Sequence, residues 1–290
     1  MPSVFSFQVS VTAFLGVFQF FMVMVSPVHA TDVKVDLELA LGADVSGSVD
    51  DEEAALQRQG YIKAFQHPRV IRAILSGYHR KIAVGYYEWA GYGHNKVVVD
   101  WTLIDSPQAA LAFAGELMKT PPETASRTSL SGAIIFATSW FDQNKYNGRR
   151  KVVDLSGDGP NNWGELVTKA RDRAIAQKIT INGLPIINLR PSPYGTPQLQ
   201  TLDLYFRHCV IGGRSAFIEV AKDFKDFGRA IRRKLILEIS GVSPPVMPKE
   251  ILQLAQFSPV VPVSHKPNGP RTIPPCNIGE IMRMDRDDDY

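Results

Sequence analysis

Acidic and basic side chains are absent from the first thirty residues, and cysteine is nearly absent from the rest: Cys209 and Cys276 are the only two. The first absence leaves an apolar run from Val11 to Val25 that closes on Pro27-Val28-His29-Ala30, the small-x-small exit of an export signal. Because no basic residue precedes the run, an uncleaved membrane anchor stays open as a second reading. No later apolar run is long enough to span a bilayer, so cleavage would leave no stable membrane span. Two cysteines are too few for a disulfide scaffold and show no zinc spacing, although in an exported chain they can pair. An excess of one charge sign is also missing. A net charge of +3 over 290 residues is too weak a field to imply nucleic acid, and the cluster Arg229, Arg232, Arg233 and Lys234 suits a solvated helix C-terminus.

Between the leader (1–30) and a proline-rich tail (241–290), residues 31–240 have the length and mixed composition of one ordinary domain. Val35, Leu37, Leu39 and Leu41 alternate with other residues up to Asp44, which predicts a strand ending in a polar turn. Asp50, Asp51, Glu52 and Glu53 suit a helix N-terminus, and that helix runs through Leu56 and Phe65 and breaks at Pro68. Ile82 to Trp89 and Lys96 to Leu103 read as strands. Ser106-Pro107 is an N-cap and first-turn pair, and Leu130 to Phe141 keep helical spacing. A strand from Lys151 to Ser156, a helix from Leu166 to Ala174, a strand near Ile179 to Leu184, an irregular stretch holding Pro191, Pro193 and Pro197, a short strand near Ala216 to Val220 and a helix from Asp223 to Glu238 follow. This alternation predicts an α/β fold, a doubly wound, mainly parallel sheet flanked by helices in a Rossmann-like three-layer sandwich. Nine of the twenty prolines fall after Ser240, which reads as a flexible tail.

In such a sheet ligands gather at the carboxyl ends of the strands, and three polar turns fall there. Asp44-x-Ser46-x-Ser48 follows the first strand, Thr128 opens the Thr128-Ser129-Leu130 helix start, and Asp158 lies just beyond the strand from Lys151. Each alone reads as a cap or tight turn; together they place five oxygen-bearing side chains at one edge. Oxygen without nitrogen or thiolate suits a hard divalent cation, Mg²⁺ first and Mn²⁺ or Ca²⁺ next. Two carboxylates balance the ion's charge without filling its shell, leaving a position for water or an acidic group. Glu88, Trp89, Asn161 and Trp163 are the candidates for the rim of that site, with a salt bridge as the alternative for Glu88 and buried packing as the alternative for each tryptophan.

These positions resemble the metal-ion-dependent adhesion site of the von Willebrand factor A family over roughly Val35 to Ser240. Asp44, Ser46 and Ser48 match its first-loop motif, Thr128 the second-loop threonine and Asp158 the third-loop aspartate. Tyr87-Glu88-Trp89, Gly157 to Asn162, Ile181-Asn182-Gly183-Leu184 and Cys209 to Gly213 look like an uncharacterised bacterial branch, a domain of unknown function. The resemblance implies metal-dependent binding of a protein ligand, one able to present Asp or Glu to the metal, and the export signal implies the periplasm or the outside of the cell.

No G-x-S-x-G elbow, H-E-x-x-H, P-loop or dinucleotide fingerprint is present, and the histidines show no ligand spacing. An enzyme is therefore not the first reading. Two alternatives remain beside recognition: an assembly subunit whose metal only stiffens the loops, and a metal-dependent hydrolase.

Overall fold

The computed structural model describes residues 3, 32–188, 198–241 and 271–287. The apolar leader, the Pro191, Pro193 and Pro197 stretch and the larger part of the proline-rich tail lie outside them. The elements, in chain order, are β1 (Val33–Val35), β2 (Glu38–Asp44), α1 (Asp51–Phe65), α2 (Pro68–Leu75), β3 (Ile82–Trp89), β4 (Asn95–Ile104), α3 (Pro107–Leu117), α4 (Leu130–Trp140), β5 (Tyr146–Gly148), β6 (Lys151–Gly157), α5 (Val167–Ala176), β7 (Ile179–Pro185), α6 (Leu202–Tyr205), α7 (Phe227–Ser240) and α8 (Ile278–Asp287).

The main sheet has the order β4-β3-β2-β6-β7, with β4 antiparallel and the other neighbours parallel. β1 and β5 form a separate parallel pair. The alternation seen in β2 does not mean one wet face, because all seven of its residues are buried, as expected of a central parallel strand covered on both sides. One core packs β2, β3 and β4 against α1, α2, α3 and α7. The other packs the opposite face against α4, α5 and α6. This is a three-layer α/β sandwich, doubly wound as the alternation predicts.

Local chemistry explains the helix starts. Asp50 and Glu53 form a reciprocal capping box on α1. Ser106 caps α3 ahead of Pro107, and Ser129 caps α4 through the Gly132 amide. Pro68 ends α1 and also begins α2, with His67 accepting from the Arg69 amide as N-cap; the sequence reading saw only the break. The strand expected near Ala216 to Val220 is reduced to isolated bridges, Gly183 with Ile218 and Ile186 with Ala221.

The reading of 241–290 as a flexible tail is corrected at its far end. α8 is a helix, and Cys276 just before it is disulfide-bonded to Cys209. A Cβ on Gly279 would lie 2.0 Å from the Asn161 carbonyl oxygen, so glycine is what lets α8 sit against the loop after β6. Tight backbone contact and a covalent tie outweigh the local composition. Among the described residues no helix is long and apolar enough to cross a membrane.

Candidate metal centre at the carboxyl edge of the sheet

Parallel pairing of β2 with β3 and β6 puts Asp44, Trp89 and Gly157 at one edge of the sheet. The loop after β2 turns on its own aspartate, the Ser46 amide donating to Asp44 Oδ1 at 2.7 Å, an Asx-type turn. Ser46 Oγ lies 3.2 Å from Ser48 Oγ, and Ser48 Oγ donates to Asp158 Oδ1 at 2.6 Å. First and third loops are thus joined by side-chain hydrogen bonds. The second loop joins through its backbone: the Ala125 amide donates to the Val45 carbonyl at 2.8 Å, and Ser46 bridges Ala125. Asn162 then ties the second loop to the third, its Oδ1 accepting from the Thr128 amide at 2.9 Å and its own amide donating to the Thr128 carbonyl at 2.9 Å. Hydrogen bonds thus link Asp44, Ser46, Ser48 and Asp158, and Thr128 is tied to the third loop through its backbone.

Asp44, Ser46, Thr128 and Asp158 are buried. Burial, and then the charge of Asp158, raises the Asp44 carboxyl to about 8. Burial raises Asp158 to about 6, partly offset by the Ser48 hydroxyl and reinforced by the charge of Glu53. Asp44 Oδ2 is buried with no hydrogen-bond partner. A Cβ at position 157 would sit 2.8 Å from that oxygen, so only glycine keeps the space beside it. Among the described residues neither carboxylate has a cationic side chain as partner, and no group of three or more His, Cys, Asp or Glu side chains forms a metal-holding cluster. The chemistry at this edge is that of two carboxylates supplemented by hydroxyls, a donor set that fits a hard cation.

Three of the four rim candidates are buried. Glu88 is buried and ion-paired with Arg58, whose guanidinium also donates to the carbonyls of Leu117 at 2.9 Å and Thr120 at 2.7 Å. Its charge is spent inside the protein. Trp89 is fully buried, beneath Gly157, because the residue paired with Asp44 at the end of β3 turns into the core. Asn161 is fully buried as well: its Oδ1 accepts from the Ser131 amide, and its Nδ2 donates to the Glu165 carbonyl and to Glu280 Oε1 of α8 at 2.7 Å. Only Trp163 reaches the surface, 37% exposed, with the guanidinium carbons of Arg127 and Arg283 at 4.1 and 4.9 Å from its ring centre.

Several supporting residues escaped sequence reasoning. Gln57 donates to the Asp44 carbonyl at 2.7 Å and accepts from Ser156 Oγ at 2.6 Å, while Gln198 Nε2 lies 3.4 Å from Asp158 Oδ2. Gln57 sits on the buried side of α1, and a glutamine at an apolar-face position was the one available signal. Gln198 carried none.

The sequence matches, over residues 34–243, a family described as Protein of unknown function (DUF1194). A comparison with curated proteins finds no match. Among solved structures, the pilus adhesin SpaC from Lactobacillus rhamnosus GG in its open conformation shares 12% identity at a TM-score of 0.51, covering 71% of this chain and 30% of that one. Proximal thread matrix protein 1 from the mussel byssus shares 13% identity at 0.52, covering 72% and 49%. A von Willebrand factor type A protein from Catenulispora acidiphila shares 15% identity at 0.46, covering 71% and 43%. The chain thus spans less than half of the length of each, and at these identities the likeness to the first two is one of fold.

Proposed function

The chain belongs to the DUF1194 family, and from that premise we propose that it binds one divalent cation through Asp44, Ser46, Ser48, Thr128 and Asp158 and uses it to hold an acidic group of a protein ligand. The observation that carries this reading is the pair of buried carboxylates with no cationic partner and a bare Asp44 Oδ2. Buried carboxylates are costly unless paired or bound to a metal. An oxygen-only donor set ranks Mg²⁺ first, with Mn²⁺ and Ca²⁺ behind it. A structure of the mussel byssus protein is described with a zinc-occupied MIDAS motif, so Zn²⁺ belongs in the same panel. When bound, the cation supplies a positive centre with a coordination position for an incoming carboxylate. Arg127 and Arg283, stacked on Trp163, add positive charge beside it.

Recognition is favoured over loop stiffening because Ser48–Asp158, Ala125–Val45 and the two Thr128–Asn162 hydrogen bonds hold the three loops together by themselves. The reading carries with it an exported location, periplasmic or secreted, for the folded part. Titration calorimetry with Mg²⁺, Mn²⁺, Ca²⁺ and Zn²⁺ tests the first half. Capture of protein ligands from an extract, with and without EDTA, tests the second. Capture that is indifferent to EDTA would sink the adhesion reading even if the metal binds.

A further inference from the structure

The opposite edge of the sheet carries a second, differently charged surface. A cavity of about 820 Å³ opens where β6 and β7 begin, lined by Arg149, Arg150, Lys151, Lys178 and Arg214 against Asp36 and Glu238. The two acids are engaged elsewhere. Asp36 accepts from the His79 amide through both oxygens, and Glu238 takes the side chains of Asn182 and Lys234. None of the five basic residues is in an ion pair among the described residues. Arg150 donates to the carbonyls of Glu238 and Ile239 at the end of α7. Arg149, Lys178 and Arg214 are exposed, and Lys34, Arg80 and Lys145 are exposed in neighbouring segments of the same edge. Tyr78, 80% exposed, stands beside the cavity with the Arg149 guanidinium 5.3 Å from its ring centre.

We propose that this amino edge docks on an anionic phospholipid surface, with the metal loops directed away from it. The charge is of the right sign, the five basic side chains outnumbering the two lining acids, and juxtamembrane basic side chains are drawn to acidic headgroups. An exposed tyrosine stacked under an arginine has the amphipathic form suited to that boundary. The chain also enters the fold here. β1 starts at Val33 and pairs with β5, and Arg149 donates its amide to Val35. Only residues 26 to 32 separate β1 from the apolar run that ends at Val25, a span of about 25 Å at full extension. The inference uses none of the metal ligands and stands or falls separately from the metal reading.

Residues 32–290 contain the whole sheet, both cores and the disulfide, and they are tested without the apolar run once circular dichroism and a cooperative melt show that they are folded. Co-sedimentation with phosphatidylglycerol vesicles is compared with phosphatidylcholine vesicles. Binding is expected to the first only, to fall as salt is raised, and to drop on the order of fivefold for each basic side chain lost. The pair Arg149→Glu and Arg214→Glu therefore abolishes it. Lys96→Ala, at the carboxyl edge beside Glu123, leaves it unchanged, and circular dichroism checks that each variant is folded. Equal binding to both vesicles, no binding to either, or retention by the double charge reversal overturns the proposal. So does binding of inorganic phosphate or duplex DNA without vesicle binding, which would make the edge a free-phosphate or nucleic-acid site.

Discussion

The two edges of one sheet have opposite characters. At the carboxyl edge Asp44 and Asp158 are buried, raised in pKa and joined by hydroxyls, with Asp50, Asp51, Glu52 and Glu53 at the nearby start of α1. At the amino edge Arg149, Arg150, Lys151, Lys178 and Arg214 gather around an open cavity. A net charge of +3 conceals both. Parallel strands explain the separation, since every loop that follows a strand lands on one edge and every loop that precedes one lands on the other. The acidic edge is buried, as the proposed cation site requires. The basic edge is exposed and broad, as the proposed docking surface requires.

The comparison is sharpened most by Asp44→Asn. Divalent-metal binding is expected to disappear from the calorimetric titration, while the metal-free protein keeps its melting temperature or gains stability, because the cost of holding a buried carboxyl protonated well above its ordinary pKa is removed. A large loss of metal-free stability would show that the carboxylate serves the fold instead.

Charge buried near the same edge but already paired responds oppositely. Arg58→Ala strands Glu88 without its cation and leaves two carbonyls unsatisfied, which predicts a destabilisation of about 3–5 kcal/mol in denaturant unfolding. A loss under 1 kcal/mol would mean that water replaces the guanidinium there.

Next in size is the tie between α8 and the third loop. Cys276→Ser opens a disulfide with a sequence separation of 67 and is expected to lower stability by about 2–4 kcal/mol. Faster proteolysis should then begin in α8, while a digest pattern identical to that of the parent would show that Glu280 and Gly279 hold the helix unaided.

The smallest effect concerns pH. Asp154, Lys234 and Glu238 are all fully buried in one cluster, with Lys234 Nζ 2.5 Å from Asp154 and 3.3 Å from Glu238. Burial, then the charge of Glu238, raises Asp154 to about 8, against the opposing pull of Lys234. With two carboxylates and one ammonium, the cluster retains a proton in the folded state. A folded pKa above the unfolded value means that the folded chain binds more protons, so this contribution to stability is present in full below about pH 4 and is lost as pH rises towards 8. Thermal melts of the parent should therefore fall more steeply over that window than those of Asp154→Asn, by a few degrees on the order-of-magnitude scale for a domain of this size. Parallel curves would assign the pH dependence to other groups.

Much of the molecule was legible before folding. The acidic helix start from Asp50 to Glu53, the Ser106-Pro107 start, the β6 strand and the three oxygen-rich turns are local signals, set by interactions within a turn or two of backbone. α2 was missed because Pro68 carries two meanings, stop and start. The strand near Ala216 was over-read because β-branched and aromatic residues suit any half-buried extended chain. For Glu88 and Trp89 the choice between rim and interior stayed open for a related reason: position at a strand end says which edge a residue is on, not whether its side chain turns to solvent or core.

From the sequence alone came the α/β class, most of the order of the elements and the five candidate oxygen donors, all consequences of periodicity and short-range hydrogen bonding. Tertiary structure alone decided that Arg58 takes Glu88, that Trp89 goes under Gly157, that Cys209 meets Cys276, and that acid and base part to opposite edges. Those outcomes depend on the strand order β4-β3-β2-β6-β7 and on contacts between residues far apart in the chain, where no local rule of spacing reaches.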